Sequence, residues 1–203
     1  NVHLIAKADV HITHPILDGH PAGAGIFITY PKVSQELSVV DAKTEIKNTS
    51  DKEKVVELRH TLYTWERQKG KDKKVQNISE TLTLHPGVTI ENNQRMEVKH
   101  PALWCPDEPN LYVLSTEVVE NGKVVDKEET RIGIRHIEMS IEKGLVINGK
   151  PLRLVGSNRH MEYPYVGNAI SDQAQYRDMY QIRSNGFNIV RLGHYPQATA
   201  ALD

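Results

Sequence analysis

Apolar and polar residues alternate through most of the stretch from residue 1 to about 134, and a period of two is the pattern of strands, whose successive side chains point to opposite faces. Val40, Ala42, Thr44 and Ile46 face one way while Asp41, Lys43 and Glu45 face the other. Val56, Leu58, His60 and Leu62 alternate in the same manner with Glu57, Arg59 and Thr61. Weaker stretches carry the pattern through Leu82 and Leu84, across a Pro86-Gly87 turn to Val88 and Ile90, and on to Met96 and Val98. Turn signals recur every 8 to 15 residues or so and no helical stripe interrupts them, which is the signature of an all-β sandwich. Asn121-Gly122 supplies the positive φ of a type I′ hairpin. The run from Lys69 to Lys74 reads as a solvated loop between strands, its charge offset by acidic residues on either side.

The pattern changes after residue 134. A second hairpin pair, Asn148-Gly149, sits between Leu145-Val146-Ile147 and Lys150-Pro151-Leu152, and a short apolar strand is expected over 152–156. A polar loop follows, then a helix from about Asp172 to Asn185, with Tyr176, Met179, Tyr180 and Arg183 on one face and Gly186 at its C-terminal cap. A second strand is expected from Asn188 to Gly193. Strand, helix and strand with a short return make a βαβ unit with parallel strands. Parallel strands bury both faces, so the unit reads as the opening of an α/β domain that needs further strands and helices.

Composition narrows the partners. With 25 Lys+Arg against 26 Asp+Glu the formal charge is −1, which offers no bulk field to recruit a nucleic acid or an anionic membrane. Hydrophobic residues make up 38% and charged residues 25%, ordinary for a globular chain, and no apolar run approaches the roughly 20 residues of a membrane-spanning helix. Cys105 stands alone, which excludes an internal disulfide framework and a cysteine-based zinc site. Val2 to Ile12 has the density of an established strand, and Ala198 to Asp203 opens a helix that reaches no cap, so further chain is expected on both sides. Asn48-Thr49-Ser50 and Asn77-Ile78-Ser79 match the short glycosylation pattern and read as chance matches.

Polar residues follow both strands of the βαβ unit: Asn158-Arg159-His160 after the first, and Arg191 with His194-Tyr195 at the end of the second. Parallel α/β architectures build active sites at the C-terminal ends of strands, and adjacent strands lie roughly 5 Å apart. His160 and His194 are therefore expected at one mouth with Arg191 between them. A lone loop histidine is more often satisfied by backbone or water; two at matching strand ends point to a polar-substrate site. A two-histidine metal centre needs a third ligand within reach, and no metal is assigned.

These residues carry a family resemblance. Asn148-Gly149-Lys150-Pro151, then Gly156-Ser157-Asn158-Arg159-His160, then Gly186-Phe187-Asn188-Ile189-Val190-Arg191-Leu192-Gly193-His194-Tyr195-Pro196, resembles the start of the catalytic barrel of glycoside hydrolase family 2, in particular its β-galactosidase branch. Pro101 to Tyr112 resembles the motif near the end of that family's immunoglobulin-like domain, and Ile132-Gly133-Ile134-Arg135 resembles the junction into the barrel.

The resemblance implies a mainly β chain, with an immunoglobulin-like β-sandwich over residues 1–134 followed, over residues 135–203, by the first βαβ portion of an incomplete (β/α)8 TIM barrel. It implies a retaining exo-β-glycosidase in which the two catalytic glutamates lie on later barrel strands, so no catalytic residue is expected in this chain and the chain alone is expected to be inactive. His160 and His194 resemble the histidines that contact sugar hydroxyls; Arg191 resembles the arginine that holds the nucleophilic carboxylate. Asn158 and Arg159 are expected to support the loop. Glu142, Glu162, Asp172 and Asp178 read as surface groups or caps. Met161-Glu162-Tyr163-Pro164 stands where β-galactosidases of the family often carry Glu and further histidines, which weakens a lactose-specific reading. β-Glucuronidase and β-mannosidase are the alternatives within the same chemistry, and a non-catalytic carbohydrate-binding or spacer sandwich is the alternative outside it. A β-galactoside-type carbohydrate is the expected partner, with no nucleic acid and no membrane; a homo-oligomer is left open, and the compartment lies between bacterial periplasm and cytoplasm. No cofactor is expected within these residues, magnesium and sodium ions being the candidates for the parent protein. Residues from about 136 to 203 are expected to be poorly packed, mobile, or buried against another copy.

Overall fold

The computed structural model describes residues 4–18, 24–66 and 69–202. The chain divides into two compact units, Asn1–His136 and Ile137–Asp203.

The first unit contains eight strands: β1 (Val10–Ile12), β2 (Ile26–Lys32), β3 (Leu37–Asn48), β4 (Lys54–Glu66), β5 (Gly70–Leu84), β6 (Thr89–Lys99), β7 (Leu111–Glu120) and β8 (Lys123–Ile132). In one sheet β3 is flanked by β6 on one edge and, end to end on the other, by β1 and β2. The other sheet runs β5-β4-β7-β8, antiparallel throughout. This is the all-β sandwich that the alternation predicts and the immunoglobulin-like domain that the resemblance implies. Asn121 (φ 50) and Gly122 (φ 76) make the β7–β8 hairpin with positive φ at both central positions.

The core lies on the faces that the period-two pattern turns inward, and it has three layers. Val40, Ala42, Leu62, Met96 and Leu114 form one apolar cluster; Ile12, Ile46, Leu58, Leu84 and Val118 form another. Between them along the strands come Thr44, His60, Gln94 and Thr116, all buried. The Gln94 side-chain amide donates to the Leu58 carbonyl at 3.2 Å, which turns its Oε1 toward His60 Nδ1 at 3.0 Å. His60 Nδ1 therefore donates, and its Nε2 accepts from the Thr44 hydroxyl at 3.0 Å. Burial lowers the His60 pKa, with the Gln94 hydrogen bond opposing in part.

The motif from Pro101 to Tyr112 folds on itself and against the segment 133–135 that follows β8. Ala102 N–H donates to the Tyr112 hydroxyl at 2.8 Å, Asn110 Nδ2 to the Leu103 carbonyl at 3.0 Å, and Trp104 N–H to the Ile134 carbonyl at 2.9 Å. A Cβ at Gly133 would come within 2.8 Å of the Trp104 side chain, and the Arg135 guanidinium stands 4.9 Å from the indole centre. Glycine at 133 is what lets the tryptophan close on this segment.

Two expectations for this unit need correction. The strand foreseen from Val2 starts only at Val10: the segment that finds a partner is Val10–Ile12, against Asn48 to Ile46, and Leu4 and Ile5 are exposed. Val2 and His3 lie outside the described residues. The lysine run is strand rather than loop from Gly70 onward, because Gly70 (φ 75) closes the turn and pairs with Glu66 while Lys71 pairs with Trp65.

The second unit opens with a three-stranded antiparallel sheet of β9 (Ile137–Ser140), β10 (Gly144–Ile147) and β11 (Lys150–Pro151), whose Asn148-Gly149 turn has φ 49 and 78. Then come β12 (Gly156–Arg159), α1 (Asp172–Ser184), β13 (Ile189–Leu192) and α2 (Thr199–Leu202). β12 and β13 pair in parallel, Gly156 to Ile189 through Arg159 to Leu192. Ser171 caps α1 by accepting from Ala174 N–H, and Gly186 (φ 87) lets the chain leave it.

The first parallel strand falls at 156–159 rather than 152–156. The cause is the partner strand: Asn188 clips Val155 by two hydrogen bonds, its Oδ1 accepting from Val155 N–H and its N–H donating to the Val155 carbonyl, both at 2.9 Å, so pairing starts one residue later. At Gly156 a Cβ would lie 2.1 Å from the Ile189 carbonyl oxygen, so the register requires glycine there. The inner face of α1 is also different from the one read from its apolar residues. Gln175 is its buried residue and Tyr180 is 62% exposed.

Candidate active site

The register of β12 and β13 sets the site. Asn158 lies opposite Arg191, and cross-strand partners in register share a face. Arg159, next in the chain, points the other way, toward α1. His160 follows β12 immediately and His194 comes two residues after β13. Their rings meet edge to face, 5.4 Å between centroids and 72° between planes. Tyr195 joins them: its ring centre is 6.2 Å from that of His160 and its hydroxyl lies 3.3 Å from His160 Nδ1. Both histidines are exposed. Arg191 is exposed as well, its guanidinium lying over Gly193, where a Cβ would be 3.0 Å from Nη1. Glycine at 193 thus leaves room for the guanidinium beside the turn that carries His194.

Two open clefts border the paired strands. One, about 450 Å³, runs along Gly156 to Asn158 and past Ile189 and Arg191. The other, about 460 Å³, lies between the strand end and α1 and is lined by Asn158, Arg159, His160, Asp178, Ile182 and Phe187 among others. The arrangement offers hydrogen-bonding rings and a cation to a polar ligand at the strand ends. Among the described residues no group of three His, Cys, Asp or Glu side chains is placed to hold a metal ion.

The structure separates Asn158 from Arg159. Arg159 is buried and bonded to Asp178, Gln175 and Gln197, whereas Asn158 shares the face of Arg191. Asp178 is neither a surface group nor a cap: its carboxylate faces the Arg159 guanidinium at 2.9 Å and accepts from the Tyr163 hydroxyl. The spacing of Gln175 and Asp178, three apart on one helix face, was the available sign that this face is polar and inward. Asp172 stands at the first position of α1 next to the Ser171 cap, and Glu142 and Glu162 are exposed.

Residues 24–135 match the model of glycosyl hydrolases family 2, and residues 139–203 match the TIM barrel domain of the same family. The chain belongs to glycosyl hydrolases family 2. Among curated family members it is 39% identical over 111 residues to a β-galactosidase of Thermoanaerobacter pseudethanolicus, an alignment covering 54% of this chain and 15% of that protein. It is 28% identical over 184 residues to a β-galactosidase of Bacteroides ovatus, covering 91% of this chain and 21% of the relative. The solved structure of Bacteroides uniformis β-glucuronidase 2 superposes with a TM-score of 0.84 at 28% identity, over 97% of this chain and 23% of the other. This family 2 chain thus spans about a fifth of the length of the relatives it matches. The parallel pair β12–β13 belongs to the part matched by the family's TIM barrel domain. No helix among the described residues is long and apolar enough to cross a membrane.

Proposed function

We propose that this chain is part of a retaining exo-β-glycosidase and contributes one side of its sugar site, with β-galactosides as the substrate class. The observation that carries this is the meeting of His160 and His194, 5.4 Å between ring centres, at the ends of adjacent parallel strands with Arg191 beside them. Imidazoles there can bond sugar hydroxyls, and bonds that strengthen as the ring approaches an oxocarbenium-like geometry raise the rate. Arg191 would hold the nucleophilic carboxylate ionised and oriented through charge-assisted hydrogen bonds. Retention needs two carboxylates about 5 Å apart, and both belong to strands beyond this chain.

A β-glucuronide is the second reading, favoured by the likeness to the Bacteroides uniformis enzyme named for that substrate. A glucuronide adds a carboxylate to the sugar, which calls for a cationic partner. Aryl β-galactoside, β-glucuronide and β-mannoside offered side by side to the full-length gene product separate the readings. The galactoside is expected to give the highest kcat/KM. Preference for the glucuronide moves the assignment to the second reading, and turnover of none of the three overturns both.

A further inference from the structure

Behind the two histidines lies a polar cluster more tightly built than the histidines themselves. Arg159 is charged yet only 5% exposed, a placement that calls for a countercharge and hydrogen-bond acceptors around the guanidinium. Its Nη2 donates to Asp178 Oδ2 at 2.9 Å and to Gln175 Oε1 at 3.1 Å. Nε donates to Asp178 Oδ2 at 3.3 Å, and Nη1 to Gln197 Oε1 at 3.1 Å. Gln197 passes the connection on, since its Nε2 donates to the Tyr195 carbonyl at 3.0 Å. The other Asp178 oxygen accepts from the Tyr163 hydroxyl. Tyr163 in turn exchanges backbone hydrogen bonds with Gly167 at 3.1 and 2.9 Å, closing a small loop between His160 and α1.

The connectivity has a consequence for the site. One carboxylate grips the residue just before His160 and a residue three places after it, and the arginine it grips reaches the segment after His194. Both ring-bearing segments leave regular structure at these points, so side-chain bonds set where the rings stand. An apolar pair in place of Arg159 and Asp178 would bury without a desolvation penalty; what the charged pair adds is direction. We propose that Asp178 is a positioning residue of the sugar site, fixing His160 and the His194-Tyr195 segment through Arg159 and Tyr163 without touching substrate itself. This rests on the reading of the two histidines as sugar ligands.

The test uses the full-length enzyme, with kcat and KM measured on the aryl β-glycoside that the wild type turns over best and unfolding followed in parallel. A displacement of about 1 Å in a positioned group can lower a rate by as much as ~10²-fold. Asp178→Asn is therefore expected to lower kcat by about tenfold or more while KM changes by less than about threefold. Tyr163→Phe removes one hydroxyl and leaves no buried charge unpaired; roughly a threefold loss of kcat is expected at an unchanged unfolding midpoint. Wild-type kcat in both variants overturns the proposal and leaves the glycosidase reading standing. Should Asp178→Asn fail to fold, Tyr163→Phe decides alone: lowered kcat supports the positioning role, and wild-type kcat overturns it. A wild-type enzyme that turns over no β-glycoside brings down the reading of the site and this inference with it.

Discussion

In the sandwich, Ile46, Leu58, Leu62, Leu84 and Leu114 are fully withdrawn from solvent, whereas in the βαβ unit the buried residues include Arg159 and Gln175 while Leu154, Val155 and Ile189 stay 39%, 46% and 43% exposed. Apolar burial assembles the first unit, and the polar layer of Thr44, His60, Gln94 and Thr116 lies between apolar clusters on both sides. In the second, hydrogen bonds from the buried Arg159 guanidinium tie the end of β12 to α1 and to Gln197, while Val146, Ile147 and Ala201 supply buried apolar side chains. A TIM barrel closes with eight strands, each covered on both faces; here Ile189 in β13 and Leu154 and Val155 just before β12 are apolar side chains left open to solvent around the parallel pair. The contrast teaches that the two units are held in different ways: by apolar clusters in one, and in the other by polar contacts around a buried guanidinium next to the segments that carry His160 and His194.

The largest effect concerns activity. The isolated chain of 203 residues is expected to hydrolyse no aryl β-glycoside, because histidines and an arginine can bind and orient but supply neither the acid nor the nucleophile of a retaining mechanism. Turnover by the purified chain would break the division at once. Next in size is core truncation. Leu58→Ala is expected to destabilise the sandwich by about 2–5 kcal/mol in urea unfolding, while Val155→Ala, at a half-exposed position of the other unit, is expected to change stability by no more than about 0.5 kcal/mol. Equal losses at the two positions would show that the units do not differ in this way.

The smallest effect is a pH dependence inside the sandwich. The folded state depresses the His60 pKa below its ordinary value of about 6.5, so the unfolded chain takes up the proton first as pH falls. Stability rises with pH wherever the unfolded state binds more protons. The histidine's contribution is therefore complete above about pH 6.5 and declines on acidification below it. Urea midpoints between about pH 7 and pH 5, where most carboxylates remain ionised, should fall for the wild type and fall less for His60→Gln. Parallel curves would remove His60 as the source.

Much of this was legible in the residues. Val40, Ala42, Thr44 and Ile46 reveal a strand because alternation is local, and Asn121-Gly122 reveals its turn because few residues accept positive φ at two successive positions. His160, Arg191 and His194 are legible for an equally local reason, each lying at or just past the end of a short strand in the sequence. What could not be read depends on partners distant in sequence. Asp178 looks like any exposed helix carboxylate until Arg159, 19 residues earlier, is seen to reach it. The inner face of α1 is polar, with Gln175 buried, so apolar periodicity points to Tyr176 and Tyr180 instead. The shift of the first parallel strand to 156–159 follows from the Asn188 clip and the bare Gly156 Cα, neither of which hydropathy reports.

The decisive observable is the configuration of the first sugar released. Proton NMR during turnover of an aryl β-galactoside by the full-length enzyme should show the β-anomer appearing first and the α-anomer only later, by mutarotation, as a covalent intermediate on a carboxylate held by Arg191 requires. An α-anomer formed first would mean inversion, and would contradict both the role of Arg191 as holder of a nucleophile and the sugar site proposed around it.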